Sequence, residues 1–220
     1  MEFNCVVRQS AEDFDAVVIW LHGLGASGDD FVPVLPHLGL PANAKIRFVF
    51  PNAPQIPVTI NAGYVMPAWY DITSMGEKRE FNLGQLLASA DMLKQLIDLH
   101  LEAGIDSKRI LLAGFSQGGA VAYQTALAYP KPLAGLLALS TYFPSAERMI
   151  VNDANRSMPI EVHHGNGDEV VVPAMAQAAI NDLQRLGLST TVKHYDMAHE
   201  VCLPQIKDIG RFIIDQLKLS

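Results

Sequence analysis

The chain has 220 residues, 50% of them apolar, which is enough for one well-buried core and a usual size for one α/β domain spanning residues 1–220. Its 16 Lys and Arg stand against 23 Asp and Glu, a net charge of -7. With no basic cluster to follow a phosphate backbone, nucleic acid is excluded as an expected partner. Short runs of Val, Ile and Leu without polar alternation then alternate with longer helical patterns, as strands buried on both faces of a parallel sheet require. In chain order, strands are expected at 5–8 as an edge, at 16–21 and at 46–50. The irregular stretch 51–79 follows, long enough to be functional or to carry short pieces of structure. A helix over 82–103 places Leu83, Leu86, Leu87, Ala90, Leu93, Leu96 and Ile97 on one stripe, with Gly104 to end it. Beyond it come a strand at 109–113, a helix at 119–129, and strands at 133–139 and 159–163. A helix opening on Pro173 runs to about 186, a strand covers 190–195, and a helix over 200–217 has Pro204 in its first turns. This βαβ rhythm points to a mostly parallel central sheet with helices on both faces.

No apolar run approaches the ~20 residues of a membrane span, and Met1-Glu2-Phe3-Asn4 lacks the basic and apolar stretches of a signal peptide. No stable membrane insertion and a cytoplasmic location are therefore expected. Cys5 and Cys202 are the two cysteines; their spacing fits neither a disulfide framework nor a zinc site, so reduced thiols and no metal are expected. The oligomeric state is left open, a homodimer included.

The motif that carries chemistry is Gly114-Phe115-Ser116-Gln117-Gly118, directly after one expected strand and before a helix. In such an elbow the serine occupies a strained turn with glycines on either side, and the helix N-terminus favours negative charge at the site. A lone serine is a weak nucleophile and needs a base held by a third group, in the chain order Ser, acid, His. Four histidines follow Ser116. His163 and His164 end a strand and His194 lies inside one, where a partly buried structural role is expected. His199 lies in the loop after the last strand, where sites form in open α/β sheets, and is the candidate base. Asp168 occupies the matching loop His164-Gly165-Asn166-Gly167-Asp168 and is the candidate acid; Asp153 precedes the strand and Asp182 belongs on a helix face. His22-Gly23-Leu24-Gly25 follows another strand, and its glycines allow backbone N–H groups to turn toward the elbow.

These residues resemble the carboxylesterase and acyl-protein thioesterase family, the phospholipase/carboxylesterase group of the α/β-hydrolase fold. The resemblance runs over nearly the whole chain. It rests on Leu21-His22-Gly23-Leu24-Gly25 with Gly28-Asp29-Asp30, on Pro51-Asn52-Ala53-Pro54, and on Pro57-Val58-Thr59 with Met66 and Ala68-Trp69-Tyr70-Asp71. It continues through the elbow and His164-Gly165 with Asp168 to His199-Glu200. It implies a triad of Ser116, Asp168 and His199, an oxyanion hole from the backbone N–H groups of Leu24 and Gln117, and no cofactor. Ala198, before the histidine, departs from the glycine common there and bears on loop shape alone. Gln117 is expected to act through its backbone, with a replaceable side chain, and His22 to hold its loop. Leu24, Met66, Trp69 and Phe143 are expected to contact a small or lipid-like acyl ester, with help from Tyr142. For Ile56 and Val58 cleft and core are equal readings, and for Trp69 the cleft is the first reading and the core the second. The expected reaction is ester hydrolysis, with acyl thioesters accepted. Long-chain acyl-protein thioesterase or lysophospholipase activity is the alternative, and an inactive binding protein on the same fold the alternative of another class.

Overall fold

The computed structural model describes residues 4–75 and 79–219. Its strands are β1 (Cys5–Gln9), β2 (Ala16–Leu21), β3 (Ile46–Pro51), β4 (Gln55–Val58), β5 (Tyr64–Pro67), β6 (Ile72–Ser74), β7 (Glu80–Phe81), β8 (Ile110–Phe115), β9 (Gly135–Leu139), β10 (Ile160–Gly165) and β11 (Thr191–Tyr195). Its α-helices are α1 (Leu83–Glu102), α2 (Gln117–Ala128), α3 (Pro173–Arg185) and α4 (Leu203–Leu217). Among the described residues seven strands form one sheet in the order β1-β3-β2-β8-β9-β10-β11. β1 is antiparallel to β3 and every other neighbour is parallel. This is the sheet of an α/β hydrolase.

The period of two explains why the strands read as unbroken apolar runs. In β2, Val17, Ile19 and Leu21 join the core under α1, α2 and α3, whereas Ala16, Val18 and Trp20 join the core under α4, and all six are fully buried. Full burial of each large aliphatic side chain stabilises by roughly 1.5–3 kcal/mol. Trp20 stacks on Phe31, from the 3₁₀ segment Gly28–His37, with ring centroids 4.8 Å apart.

Most differences from the expected elements have local causes. The strand expected from 133 begins at Gly135, because the Leu133 N–H donates to Asn155 Oδ1 at 2.9 Å instead of to a sheet partner. The last helix starts at Leu203, after Cys202 in extended backbone (φ -119°, ψ 159°), and Glu200 and Val201 before it line a cavity. Leu87 lies off the buried stripe of α1 and is exposed. His194 is exposed, not partly buried, because β11 is the edge of the sheet. The stretch 51–79 carries β4 and β5, which pair antiparallel, and β6, which pairs antiparallel with β7 just beyond the stretch. Asp71 brackets them: its carboxylate accepts from the Thr59 N–H and the Thr59 hydroxyl, both at 2.7 Å.

Candidate active site

The ends of β2, β8, β10 and β11 bring the candidate residues together, as the crevice at the carboxyl ends of parallel strands should. Between β8 and α2, Ser116 adopts φ 54° and ψ -121°, a region that L-residues rarely occupy. Its N–H donates to Leu139 O at 2.9 Å and its carbonyl accepts from Thr141 Oγ1 at 2.6 Å, which holds the strained turn in place. The two elbow glycines answer to close backbone approach. A Cβ on Gly114 would lie 2.5 Å from Gly118 O, and one on Gly118 would lie 2.5 Å from His22 O.

His199 Nδ1 is 2.8 Å from Asp168 Oδ2, and His199 Nε2 is 2.9 Å from Ser116 Oγ. A carboxylate only accepts, so Nδ1–H donates to Asp168 and the Nε2 lone pair faces the serine hydroxyl, which donates to it. The other carboxylate oxygen, Asp168 Oδ1, accepts from the N–H groups of Val170 and Val171 at 2.9 and 2.8 Å. Asp168 is therefore buried with both oxygens satisfied. The acid and base loops are laced by bonds from Asn166 N–H to Tyr195 O and from Gly167 N–H to Met197 O, at 2.8 and 3.1 Å. His164, beneath them, donates from Nε2 to Val171 O at 2.7 Å, and burial pushes its pKa down. Asp153 and Asp182 pair instead with Arg156 and Arg185.

Leu24 and Gln117 flank the serine. Gln117 opens α2, and a Cβ on Gly23 would lie 3.4 Å from Ser116 Cβ, so the loop after β2 passes directly against the nucleophile. Among the described residues neither the Leu24 nor the Gln117 N–H finds a protein acceptor. His22 holds the first of these loops, as expected. Its Nε2 accepts from the Ala53 N–H at 3.1 Å, which leaves Nδ1–H to donate to Gly23 O at 2.7 Å. Burial lowers its pKa, so the ring stays neutral.

A cavity of about 480 Å³ opens over Ser116 and His199. Its walls are mostly apolar: Leu24, Ile60, Ile72, Met75, Phe115, Tyr142, Val170 and Val201, with Asp30, Arg79 and Glu200 as charged residues. Of the four expected substrate contacts only Leu24 is among them. Trp69 is 1% exposed and packs in the core under the loop. Phe143 stacks on Tyr123 in the same core, with centroids 4.8 Å apart. Met66 lies behind the loop after β2, 3.8 Å from where a Gly25 Cβ would be. Val58 is fully buried, and Ile56 sits outside the cavity. The wall residues Ile60, Ile72 and Met75 escaped sequence reasoning because the short β4–β5 and β6–β7 pairs decide which side of the stretch 51–79 faces the serine. The Gln117 side chain also differs from expectation. It is 1% exposed and bonded at both ends, and so is not a free replaceable group.

Comparison with known proteins finds relatives over nearly the whole chain. The sequence profile of the phospholipase/carboxylesterase family matches residues 3–216. Acyl-protein thioesterase 1 of Schizosaccharomyces pombe is 38% identical over 190 residues, covering 83% of this chain and 84% of that protein. Acyl-protein thioesterase 1 of Emericella nidulans is 33% identical over 214 residues, covering 90% and 89%. Among solved structures, Arabidopsis thaliana SOBER1 superimposes with a TM-score of 0.85 at 28% identity, covering 92% of this chain and 99% of that one. The chain belongs to the phospholipase/carboxylesterase family.

Proposed function

We propose that this enzyme hydrolyses carboxylic esters and acyl thioesters through an acyl-enzyme on Ser116, with His199 as general base and Asp168 as its orienting acid. The observation that carries the reading is the hydrogen-bonded series Ser116 Oγ, His199, Asp168, at 2.9 and 2.8 Å, open to an apolar cavity. His199 takes the Ser116 proton as Oγ attacks the acyl carbon, and Asp168 stabilises the imidazolium that forms. The oxyanion of the tetrahedral intermediate is received by the N–H groups of Leu24 and Gln117. Collapse expels the alcohol or thiol, which takes the proton from His199. Water, deprotonated by the same imidazole, then attacks the acyl-enzyme and frees the acid and Ser116. Every role is filled by a side chain or backbone group of this chain, with no cofactor.

The curated relatives named as acyl-protein thioesterases favour thioester competence. The cavity volume and apolar walls favour an acyl chain over a polar group. Among the described residues no helix is long and apolar enough to cross a membrane. We take the chain to act as a single catalytic domain in the cytoplasm, in keeping with its two unpaired cysteines. Covalent labelling by a fluorophosphonate, mapped to Ser116, followed by a panel of p-nitrophenyl esters and acyl thioesters of increasing chain length, tests the reading. Labelling at Ser116 with turnover of both classes is expected. A stable, folded protein with no labelling overturns it.

A further inference from the structure

The two oxyanion donors proposed above lie on different loops, one after β2 and one at the start of α2. The sheet fixes the strands beneath them; it does not fix the loops to each other. Both loops are fastened instead to one segment, residues 67–70, buried from Ala68 onward. The Gly25 N–H donates to Pro67 O at 2.8 Å, and the Trp69 indole N–H donates to His22 O at 2.8 Å. On the other side, the Trp69 backbone N–H donates to Gln117 Oε1 at 2.8 Å, and Gln117 Nε2 donates to Tyr70 O at 2.7 Å. Trp69, Gln117 and His22 are each at most 1% exposed, so none of these groups exchanges its partner for water. His22 O is also where α2 packs, since a Cβ on Gly118 would meet it at 2.5 Å.

We propose that Trp69 and the Gln117 side chain are positioning residues, which set the separation of the Leu24 and Gln117 N–H groups by buckling both loops to segment 67–70. The inference rests on Ser116 as nucleophile and on these two N–H groups as the oxyanion hole. Its physical basis is that an oxyanion must lie 2.7–3.1 Å from both donors at once, and misplacement by about 1 Å can cost about 100-fold in rate. A Gln side chain satisfies both a donor and an acceptor of the same neighbouring backbone, which no apolar residue of that size does. The indole N–H reaches a carbonyl only two residues before Leu24.

The test compares wild type with Trp69→Phe, Gln117→Met and a protein carrying benzothienylalanine in place of Trp69. The last keeps the ring shape and loses only the N–H, and so separates positioning from packing if Trp69→Phe folds poorly. Wild type is first labelled with a fluorophosphonate. Expected are a 10- to 100-fold fall in kcat with KM within about threefold, and an equal loss of affinity for an alkyl boronic acid, whose tetrahedral adduct occupies the oxyanion hole. A purely structural role lowers the thermal midpoint and leaves kcat and boronate affinity unchanged below it. That result for the benzothienylalanine and Gln117→Met proteins overturns the inference while leaving the hydrolase reading intact. Absence of labelling in wild type overturns the nucleophile assignment and this inference with it.

Discussion

At Ser116 the backbone holds a non-glycine residue at φ 54°, a conformation that costs about 1–3 kcal/mol and persists only where surrounding bonds enforce it. The bonds to Leu139 O and from Thr141 Oγ1 are those constraints. Two mutations at this residue should therefore separate chemistry from strain. Ser116→Ala lowers kcat by about 10⁴-fold or more, as does His199→Ala, because the members act as a unit; a tenth of wild-type activity in either purified protein rules out the mechanism. Ser116→Gly is equally inactive yet melts higher, by roughly 2–4 °C for each kcal/mol of strain relieved at this chain length. Asp168→Asn costs a similar or smaller factor in kcat than His199→Ala. On the cavity wall, Ile60→Trp should shorten the longest acyl chain accepted and reduce long-chain kcat/KM about tenfold, with short-chain turnover little changed. An unaltered chain-length profile would remove the cavity as the acyl site.

The elbow works only because α2 and the loop after β2 touch. Gly118 is the point of contact, with its missing Cβ taken up by His22 O. Gly118→Ala forces one of the two elements to move, at a cost of about 1–3 kcal/mol. Since the shift displaces the turn bearing Gln117, kcat should fall far more than that modest stability loss implies, which calorimetry alongside steady-state kinetics checks. The stretch 51–79 behaves as a second element. Its outer rim, Ile60, Ile72 and Met75, faces the cavity, and its inner side buries Trp69 and Val58. Trp69→Ala accordingly destabilises by about 3–5 kcal/mol and lowers activity on every chain length together. A shift in chain-length preference at unchanged melting temperature would contradict the core placement.

Across the whole molecule, three histidines are kept below their ordinary pKa by burial: His22, His100 and His164. Released by unfolding, each takes a proton near ~6.5 that the folded protein resists. Between the lowered folded value and ~6.5 the unfolded state binds more protons, so this stability is complete above ~6.5 and is lost as pH falls below it. The melting temperature should drop between pH 7 and 5.5, and the fall should be shallower in His100→Gln, whose imidazole lies on α1 outside the cavity. A flat profile over that range would show that these rings are not held neutral by the fold.

The seven strands of the main sheet and the four α-helices in chain order, the elbow and the two loops bearing Asp168 and His199 were legible in the residues themselves. Each is written locally, in apolar runs of the right length, in glycines where backbones must approach, and in functional residues placed just past strand ends. Which residues line the cavity was not. Trp69, Met66 and Phe143 have the same composition as a pocket wall, but Phe143 is drawn into the core by Tyr123 of α2, and the pairing of β4 with β5 and β6 with β7 leaves Trp69 in the core and Met66 behind the loop while Ile60, Ile72 and Met75 line the cavity over the serine. The same holds for the Gln117 side chain and for His194. Gln117 is fixed by residues 47 and 48 positions away in sequence, and His194 is exposed because its strand ends the sheet. The sequence by itself determined the strands of the main sheet, the turns at their ends and the chemistry they carry, since these depend on neighbours along the chain. The tertiary structure alone decided which face of each element meets the site, because that depends on partners distant in sequence.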